Sequence, residues 1–235
     1  MSTDNDRLPF GAEDLRLPDA IRAPLIAHLE DLREKYLQRN WGHRVGFGER
    51  PALVVIDLVN YWLDTTTQMG SPLDSVVEST CRILQAARGS GIPIFFTTLA
   101  YDSADPPVLH DKRYKWDIGA DPGDVFDLDP RLERRPTEKV IYKPYSSAFK
   151  ATNFHEMLTS LRVDTLIVTG ISTSHCVYTT CRDAMDSVNV VVAREAVGER
   201  CELMHRVNLL DIEIDMADVL SEAEVIRCIE GVAAG

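Results

Sequence analysis

The sequence has few cysteines, few aromatic side chains and no long apolar run. It contains five cysteines among 235 residues, and 7% of the residues are aromatic. No apolar stretch approaches the roughly 20 residues that a membrane-spanning helix needs. The acidic residues 1–18 contain no apolar signal-peptide core. No two cysteines form a CxxC pair, which disfavours a cysteine-based zinc site and favours free thiols. We therefore expect a cytoplasmic protein with no membrane association.

Basic side chains are also scarce relative to acidic ones. The chain has 25 Lys and Arg against 37 Asp and Glu, a net charge of −12 and a pI near 4.9. This balance argues against a surface for nucleic acid or for anionic lipid. It does not exclude a small anionic substrate, because one local Arg or Lys can dominate a pocket. The hydrophobic share of 45% is enough for a sizeable core.

Short apolar runs alternate with helical patterns through most of the chain. The runs are continuous in Val and Ile instead of alternating with polar residues, which is typical of parallel strands buried on both faces. We predict a three-layer αβα sandwich around a six-stranded, mostly parallel, doubly wound sheet. The predicted strands cover residues 52–57, 92–98, 138–143, 165–170, 189–193 and 217–221.

Two segments fall outside this alternation. Residues 19–39 place apolar side chains at helical spacing before the first strand. This helix either packs on the sheet or forms an arm against a neighbouring subunit. Residues 99–137 form a long stretch that is rich in Asp and Pro, and a loop of this length is usually functional. We expect Tyr101 and Trp116, which lie in it, to contact the substrate.

Three chemically useful side chains follow three of the predicted strands. Asp57 ends the first strand, Lys143 ends the third, and Cys176 begins the helix after the fourth. Each alone could be structural: a turn residue, a solvated strand end or a core thiol. Ligands of open parallel sheets bind beyond the carboxyl ends of the strands, so we expect the three to meet there.

A thiol at the start of a helix suggests a nucleophile. The helix dipole and a nearby Lys143 would lower the pKa of Cys176. The free N–H groups of the same turn could stabilise an oxyanion. Asp57 could accept the thiol proton and return it to a leaving amine.

Three stretches of sequence resemble one known superfamily. The motifs "ALVVIDLVNYW", "IYKPYSSAF" and "DTLIVTGISTSHCVYTTCRDAM" are similar, in order and spacing, to those of isochorismatase-like cysteine hydrolases. "GFGERPALVVIDLVNYW" and "REAVGERCELMHRVNLLDI" most resemble the branch of N-carbamoylsarcosine and maleamate amidases. The resemblance divides the chain into an N-terminal arm and helix, residues 1–45, and one hydrolase domain, residues 46–235.

The resemblance implies roles for particular residues. Asp57, Lys143 and Cys176 would form the catalytic triad. A cis peptide bond would join Ile171 and Ser172, and the backbone N–H groups of Ser172 and Cys176 would form the oxyanion hole.

The same branch implies a substrate contact and an assembly. Arg200 would bind a carboxylate on the substrate, because its planar guanidinium can bind both oxygens. A surface salt bridge with Glu195 or Glu199 is the alternative role for Arg200. The branch also implies a homo-oligomer, expected to be a tetramer with N-terminal arms between subunits.

The sequence departs from its relatives at three places. His175 stands where many relatives have Gly, Asp or Asn before the cysteine, and the loop at Ser187–Val188 is shortened. Nicotinamidases of the superfamily have a metal-binding Asp-x-His followed by a second His, whereas only His110 occurs in the corresponding segment here. We therefore expect no metal. No Walker loop or GxGxxG follows a strand, so we expect no nucleotide or other cofactor.

These features predict a cysteine-dependent amidohydrolase that releases ammonia through a covalent thioester. Its substrate would be a small amide or ureido compound with a carboxylate. N-carbamoylsarcosine, maleamate and other short N-carbamoyl or amic acids all fit. Two alternatives remain open at this point. One is an isochorismatase-type vinyl-ether hydrolase, although those relatives work without the cysteine. The other is a non-catalytic binding protein on the same fold.

Overall fold

One parallel sheet forms the centre of the protein. The computed structural model describes residues 15–67, 69–100 and 123–233, and within them six strands pair in the order β3-β2-β1-β4-β5-β6. Every pairing between neighbours is parallel. The predicted α/β fold is confirmed. The strands are β1 (Pro51–Ile56), β2 (Ile94–Leu99), β3 (Lys139–Lys143), β4 (Thr165–Ile171), β5 (Asn189–Gly198) and β6 (Asp218–Leu220).

Helices cover both faces of the sheet, as continuous apolar strands require. All six residues of β1 are buried, and so are all seven of β4. One face packs against α4, α5 and α6, and the other packs against α3 and α7. The helices are α1 (Asp19–Leu37), α2 (Asn60–Leu63), α3 (Asp74–Gly89), α4 (Phe154–Ser160), α5 (Cys176–Ala184), α6 (Glu202–Asp215) and α7 (Glu222–Ala233).

Strand β5 is longer than predicted. The predicted strand covers residues 189–193, but β5 continues to Gly198. Arg194 and Glu195 are exposed and interrupt the apolar run, and the strand then resumes with buried residues 196–198. The register against β4 shifts between Val168 and Gly170. The extension therefore places the segment ending at Arg200 beside the carboxyl end of β4.

Helix α1 packs mainly on α6. Arg33 Nε on α1 lies 2.8 Å from Glu213 Oε1 on α6, and no residue of α1 is buried in the single chain. Ile21 is 50% exposed. The predicted role of this helix between subunits stays a prediction. Among the described residues, no helix combines the length and apolarity needed to cross a membrane.

Candidate active site

The candidate site lies where the strand order reverses. The chain runs outward in one direction from β1 to β2 and β3, and in the other direction through β4, β5 and β6. A crevice forms beyond the carboxyl ends of the two strands at such a switch point. Here these strands are β1, which is followed by Asp57, and β4, which leads into the loop 172–175 before Cys176.

Lys143 joins the other two predicted residues. Its Nζ lies 2.7 Å from Asp57 Oδ2 and 3.4 Å from Cys176 Sγ. It also donates to the carbonyl oxygen of Tyr145 at 3.2 Å. The side chains of Lys143 and Asp57 are only 1% and 2% exposed. A buried ammonium needs such partners, because an unpaired charge in the interior is very costly. The three residues that the strand-end argument selected therefore do meet.

Thr97, on β2, orients Asp57. Its hydroxyl accepts a hydrogen bond from Asp57 N at 3.1 Å and donates one to Asp57 Oδ1 at 2.5 Å. Asp57 itself has φ +47°, a left-handed conformation that few non-glycine residues adopt. Thr97 was not among the predicted site residues. Its local signal is a pair of threonines, Thr97 and Thr98, inside an otherwise apolar strand.

Burial dominates the ionisation of the thiol. It raises the pKa of Cys176 to about 12, Lys143 acts to lower that pKa, and Asp57, which hydrogen-bonds the thiol, acts to raise it. The prediction of a lowered thiol pKa is therefore wrong. Burial acts to lower the pKa of Lys143, but the negative charge of Asp57 and the hydrogen bonds with Asp57 and Cys176 outweigh burial and raise it. The resting site accordingly contains an Asp57–Lys143 ion pair beside a protonated thiol.

The loop 172–175 and the first residue of α5 each carry an unused backbone donor. The peptide bond between Ile171 and Ser172 is cis, as the resemblance implies. Ser172 O accepts from His175 N at 2.9 Å and from Val177 N at 3.1 Å, which closes the loop onto α5. Within the described part of the chain, no hydrogen bond uses the N–H of Ser172 or of Cys176. An oxyanion beside Sγ could receive both.

A glycine lets β1 and β4 approach just before this loop. Gly170 has φ +103°, a region that side chains strongly disfavour. A Cβ built on it would lie 2.0 Å from the carbonyl oxygen of Ile56. No other residue fits there without separating the two strands whose ends carry Asp57 and Ser172.

Hydrogen bonds to the end of β5 hold the loop 172–175 in position. Gly198 O accepts from Thr173 N at 2.8 Å and from Thr173 Oγ1 at 3.0 Å. The same hydroxyl lies 2.9 Å from His205 Nδ1 on α6. The His175 ring turns toward its neighbour, with Nδ1 2.8 Å from Ser174 Oγ.

Arg200 lies at the same edge of the sheet but does not touch the triad. Its Nη1 is 3.2 Å from Glu199 Oε1, and the side chain is 35% exposed. It lines a cavity of about 820 Å³, whose described lining residues do not include Asp57, Lys143 or Cys176. Of the alternatives for Arg200, the salt bridge with Glu199 is present, whereas its substrate role stays a prediction.

Three residues named from the sequence, Tyr101, Trp116 and His110, lie outside the described residues. Among those described, no cluster of three or more His, Cys, Asp or Glu side chains is arranged to hold a metal ion.

The fold and the site define a hydrolytic enzyme of the αβα class. The isochorismatase domain family matches residues 51–224, and the chain belongs to this family. The family and branch predicted from the motifs are confirmed.

Two curated relatives are amidases. An N-carbamoylsarcosine amidase from an Arthrobacter species is 35% identical over 226 residues, covering 89% of this chain and 84% of that protein. A maleamate amidohydrolase from Pseudomonas putida is 30% identical over 210 residues, covering 86% and 97%. The kinship supports the predicted class, a hydrolase of carbon–nitrogen bonds other than peptide bonds.

Solved structures share the fold. A cysteine hydrolase from Pseudomonas syringae superposes with a TM-score of 0.72 at 22% identity, over 80% of this chain and 97% of that one. An N-carbamoylsarcosine amidase from Thermoplasma acidophilum superposes with a TM-score of 0.63 at 22% identity, over 74% and 96%. At these identities the likeness establishes the architecture alone.

Proposed function

We propose that the protein is a cysteine-dependent amidohydrolase that releases ammonia from a small N-carbamoyl or amic acid. The observation that carries the proposal is the contact of Lys143 with both Asp57 and Cys176, beside two unused backbone donors. A nucleophile, a proton acceptor and an oxyanion site are the groups that acyl transfer needs. The names of the curated relatives point to the substrate class.

The first half of the proposed reaction forms a thioester. Because the resting thiol is protonated, its proton passes to Asp57 as Sγ attacks the carbonyl carbon of the amide or carbamoyl group. The oxygen of the tetrahedral intermediate is held by the N–H groups of Ser172 and Cys176. Asp57 then protonates the nitrogen, the C–N bond breaks, and ammonia leaves. Lys143 remains an ammonium throughout and stabilises the charge on Asp57 or on the sulfur.

The second half restores the thiol. Water attacks the thioester carbon and gives a proton to Asp57, the same oxyanion site holds the developing charge, and the C–S bond breaks. Asp57 returns its proton to the departing sulfur. In this route Asp57 acts alternately as base and acid.

The proposal extends to the substrate and the assembly. A carboxylate on the substrate would account for a cation, Arg200, at the carboxyl edge of the sheet of an acidic protein. The tetramer, the cytoplasmic location and the division into residues 1–45 and 46–235 also remain predictions.

An ammonia-release screen over short N-carbamoyl and amic acids tests the proposal. The parent enzyme should release ammonia from at least one of them, and Cys176→Ala should reduce turnover by several orders of magnitude. Cys181→Ala is the matched control, because Cys181 is a buried thiol on the same helix that packs in the core. It should retain turnover. Near-parental activity in Cys176→Ala would refute the thioester route.

A further inference from the structure

A buried carboxylate, Glu199, joins the loop 172–175 to Arg200. It directly follows β5, and its side chain is 0% exposed. Oε2 accepts from Ser174 N at 3.1 Å and from Ser174 Oγ at 2.5 Å. Oε1 accepts from Arg200 N at 3.0 Å and from Arg200 Nη1 at 3.2 Å. One oxygen therefore serves the loop and the other serves the arginine.

This division constrains two parts of the site at once. A buried carboxylate is stable only while its hydrogen bonds are made. Moving Ser174 away from Oε2, or Arg200 away from Oε1, would leave an oxygen of that carboxylate short of donors. Ser174 is two residues before Cys176 and two after Ser172. In the sequence it therefore lies midway between the residues that carry the two oxyanion donors. Glu199 therefore connects the segment that carries those donors to the arginine.

The Ser174 hydroxyl extends the constraint to the next residue. Because this hydroxyl donates its proton to Glu199, its oxygen is left to accept from His175 Nδ1, which lies 2.8 Å away. The ring beside the nucleophile is thereby oriented with its proton on Nδ1.

Arg200 keeps donors to offer after pairing with Glu199. No hydrogen bond within the described residues uses its Nε or Nη2. A carboxylate partner that holds one end of a guanidinium reduces the rotamer freedom that a ligand would otherwise have to restrict. The pairing is thus compatible with anion binding and prepares the arginine for it.

We propose that Glu199 is a positioning residue that fixes the loop 172–175, with its oxyanion donor, and the substrate-binding Arg200 relative to each other. The proposal rests on the proposed function, because both of its partners act on the substrate. It assigns Glu199 a role in the rate through Ser174 and a separate role in anion affinity through Arg200.

Steady-state kinetics of Glu199→Gln with an anionic substrate and its neutral amide or ester analogue test this assignment. The glutamine side chain keeps the shape of the glutamate but loses its charge. Its NH2 group cannot accept the hydrogen bonds that the replaced carboxylate oxygen accepted. We expect kcat to fall about tenfold or more for both compounds, since small misplacements of reacting groups have large effects on rate. KM should rise for the anionic compound only. The thermal midpoint is recorded for every variant.

Glu195→Gln is the matched control. Glu195 is an exposed carboxylate four residues earlier, on β5, and it accepts from Glu222 N at the start of α7. Its loss should leave kcat and both KM values within about twofold of the parent. A Glu199→Gln variant with unchanged kinetics and only a lowered midpoint would overturn the proposal.

Ser174→Ala tests the role through Ser174 separately from the role through Arg200. It also tests the proposal if Glu199→Gln does not fold. It removes the hydroxyl donor to Oε2 but leaves both Arg200 bonds in place. The expected result is a lower kcat for both compounds with an unchanged ratio of their KM values. A changed ratio with parental kcat would contradict the assignment.

A substrate-free measurement distinguishes this proposal from the proposed function. If the parent releases no ammonia from any compound, the proposed function fails. The rate of Cys176 alkylation by iodoacetamide still reports the position of the loop. It should change at least threefold in Glu199→Gln and stay parental in Glu195→Gln. Equal rates in all three proteins would overturn the positioning role.

Discussion

Lys143 Nζ and Asp57 Oδ2 form an ion pair at 2.7 Å inside a site that excludes almost all solvent from both side chains. The ion pair is formally neutral. Ionising the adjacent Cys176 thiol would therefore add an uncompensated negative charge to the buried site. This explains why the pKa of Cys176 is raised despite the neighbouring ammonium. In the proposed reaction the thiolate would consequently form during the attack, because the resting site does not store it.

The raised pKa predicts a specific alkylation profile. Below a pKa of about 12 the thiolate fraction of Cys176 grows about tenfold per pH unit. The rate of modification by iodoacetamide, followed at Cys176 by peptide mass spectrometry, should therefore keep rising through alkaline pH. Asp57→Asn removes a charge that raises this pKa, so it should speed alkylation at neutral pH while abolishing turnover. A rate that is already constant below neutral pH would contradict the raised pKa.

Much of the fold and the meeting of the three triad residues could be predicted from short segments of sequence together with a general rule for parallel sheets. Continuous apolar runs identify β1 and β4, and the convergence of parallel strand ends brings Asp57 and Cys176 together. The thiol pKa could not be predicted, because the extent of burial depends on packing from distant segments. The extension of β5 was missed because exposed Arg194 and Glu195 imitate a strand end.

Arg200 should control affinity for an anionic substrate. Losing one charge-assisted contact costs roughly 1.5–3 kcal/mol, which is about ten- to a hundredfold in kcat/KM. We expect Arg200→Ala and Arg200→Lys to raise KM for the anionic compound by that order and to leave the neutral analogue nearly unchanged. Lysine keeps the charge but not the planar pair of donors. Equal effects on both compounds would identify Arg200 as purely structural.

Activity should not depend on a metal ion. The segment that carries the metal-binding histidines of nicotinamidases contains only His110 in this chain. Dialysis against a chelator should leave ammonia release unchanged, with metal content measured before and after. Loss of activity on chelation and its recovery on adding zinc would reveal a functional metal site.

The chain should form a homo-oligomer. Helix α1 buries none of its residues in the single chain, and Ile21 on α1 and Leu203, Met204 and Val207 on the adjoining α6 are all more than two-fifths exposed. Light scattering at micromolar concentration should give a mass several times 26.3 kDa, with a tetramer expected. Deleting residues 1–39 should lower that mass, and a monomeric full-length chain would refute the prediction.

Gly170 should be the least replaceable of the glycines near the site. Its positive φ and the 2.0 Å approach of a Cβ to Ile56 O combine backbone strain with a collision between two central strands. We expect Gly170→Ala to lower the free energy of unfolding by more than about 2 kcal/mol, and to reduce kcat because Ser172 follows closely in sequence. Gly89→Ala is the control: Gly89 ends α3 in open space, where alanine should stabilise the helix by up to about 1 kcal/mol. Urea unfolding of the two variants at equal protein concentration measures the difference. Equal stabilities would mean that β1 and β4 can separate at little cost, and that the close approach does not hold the loop 172–175 in place.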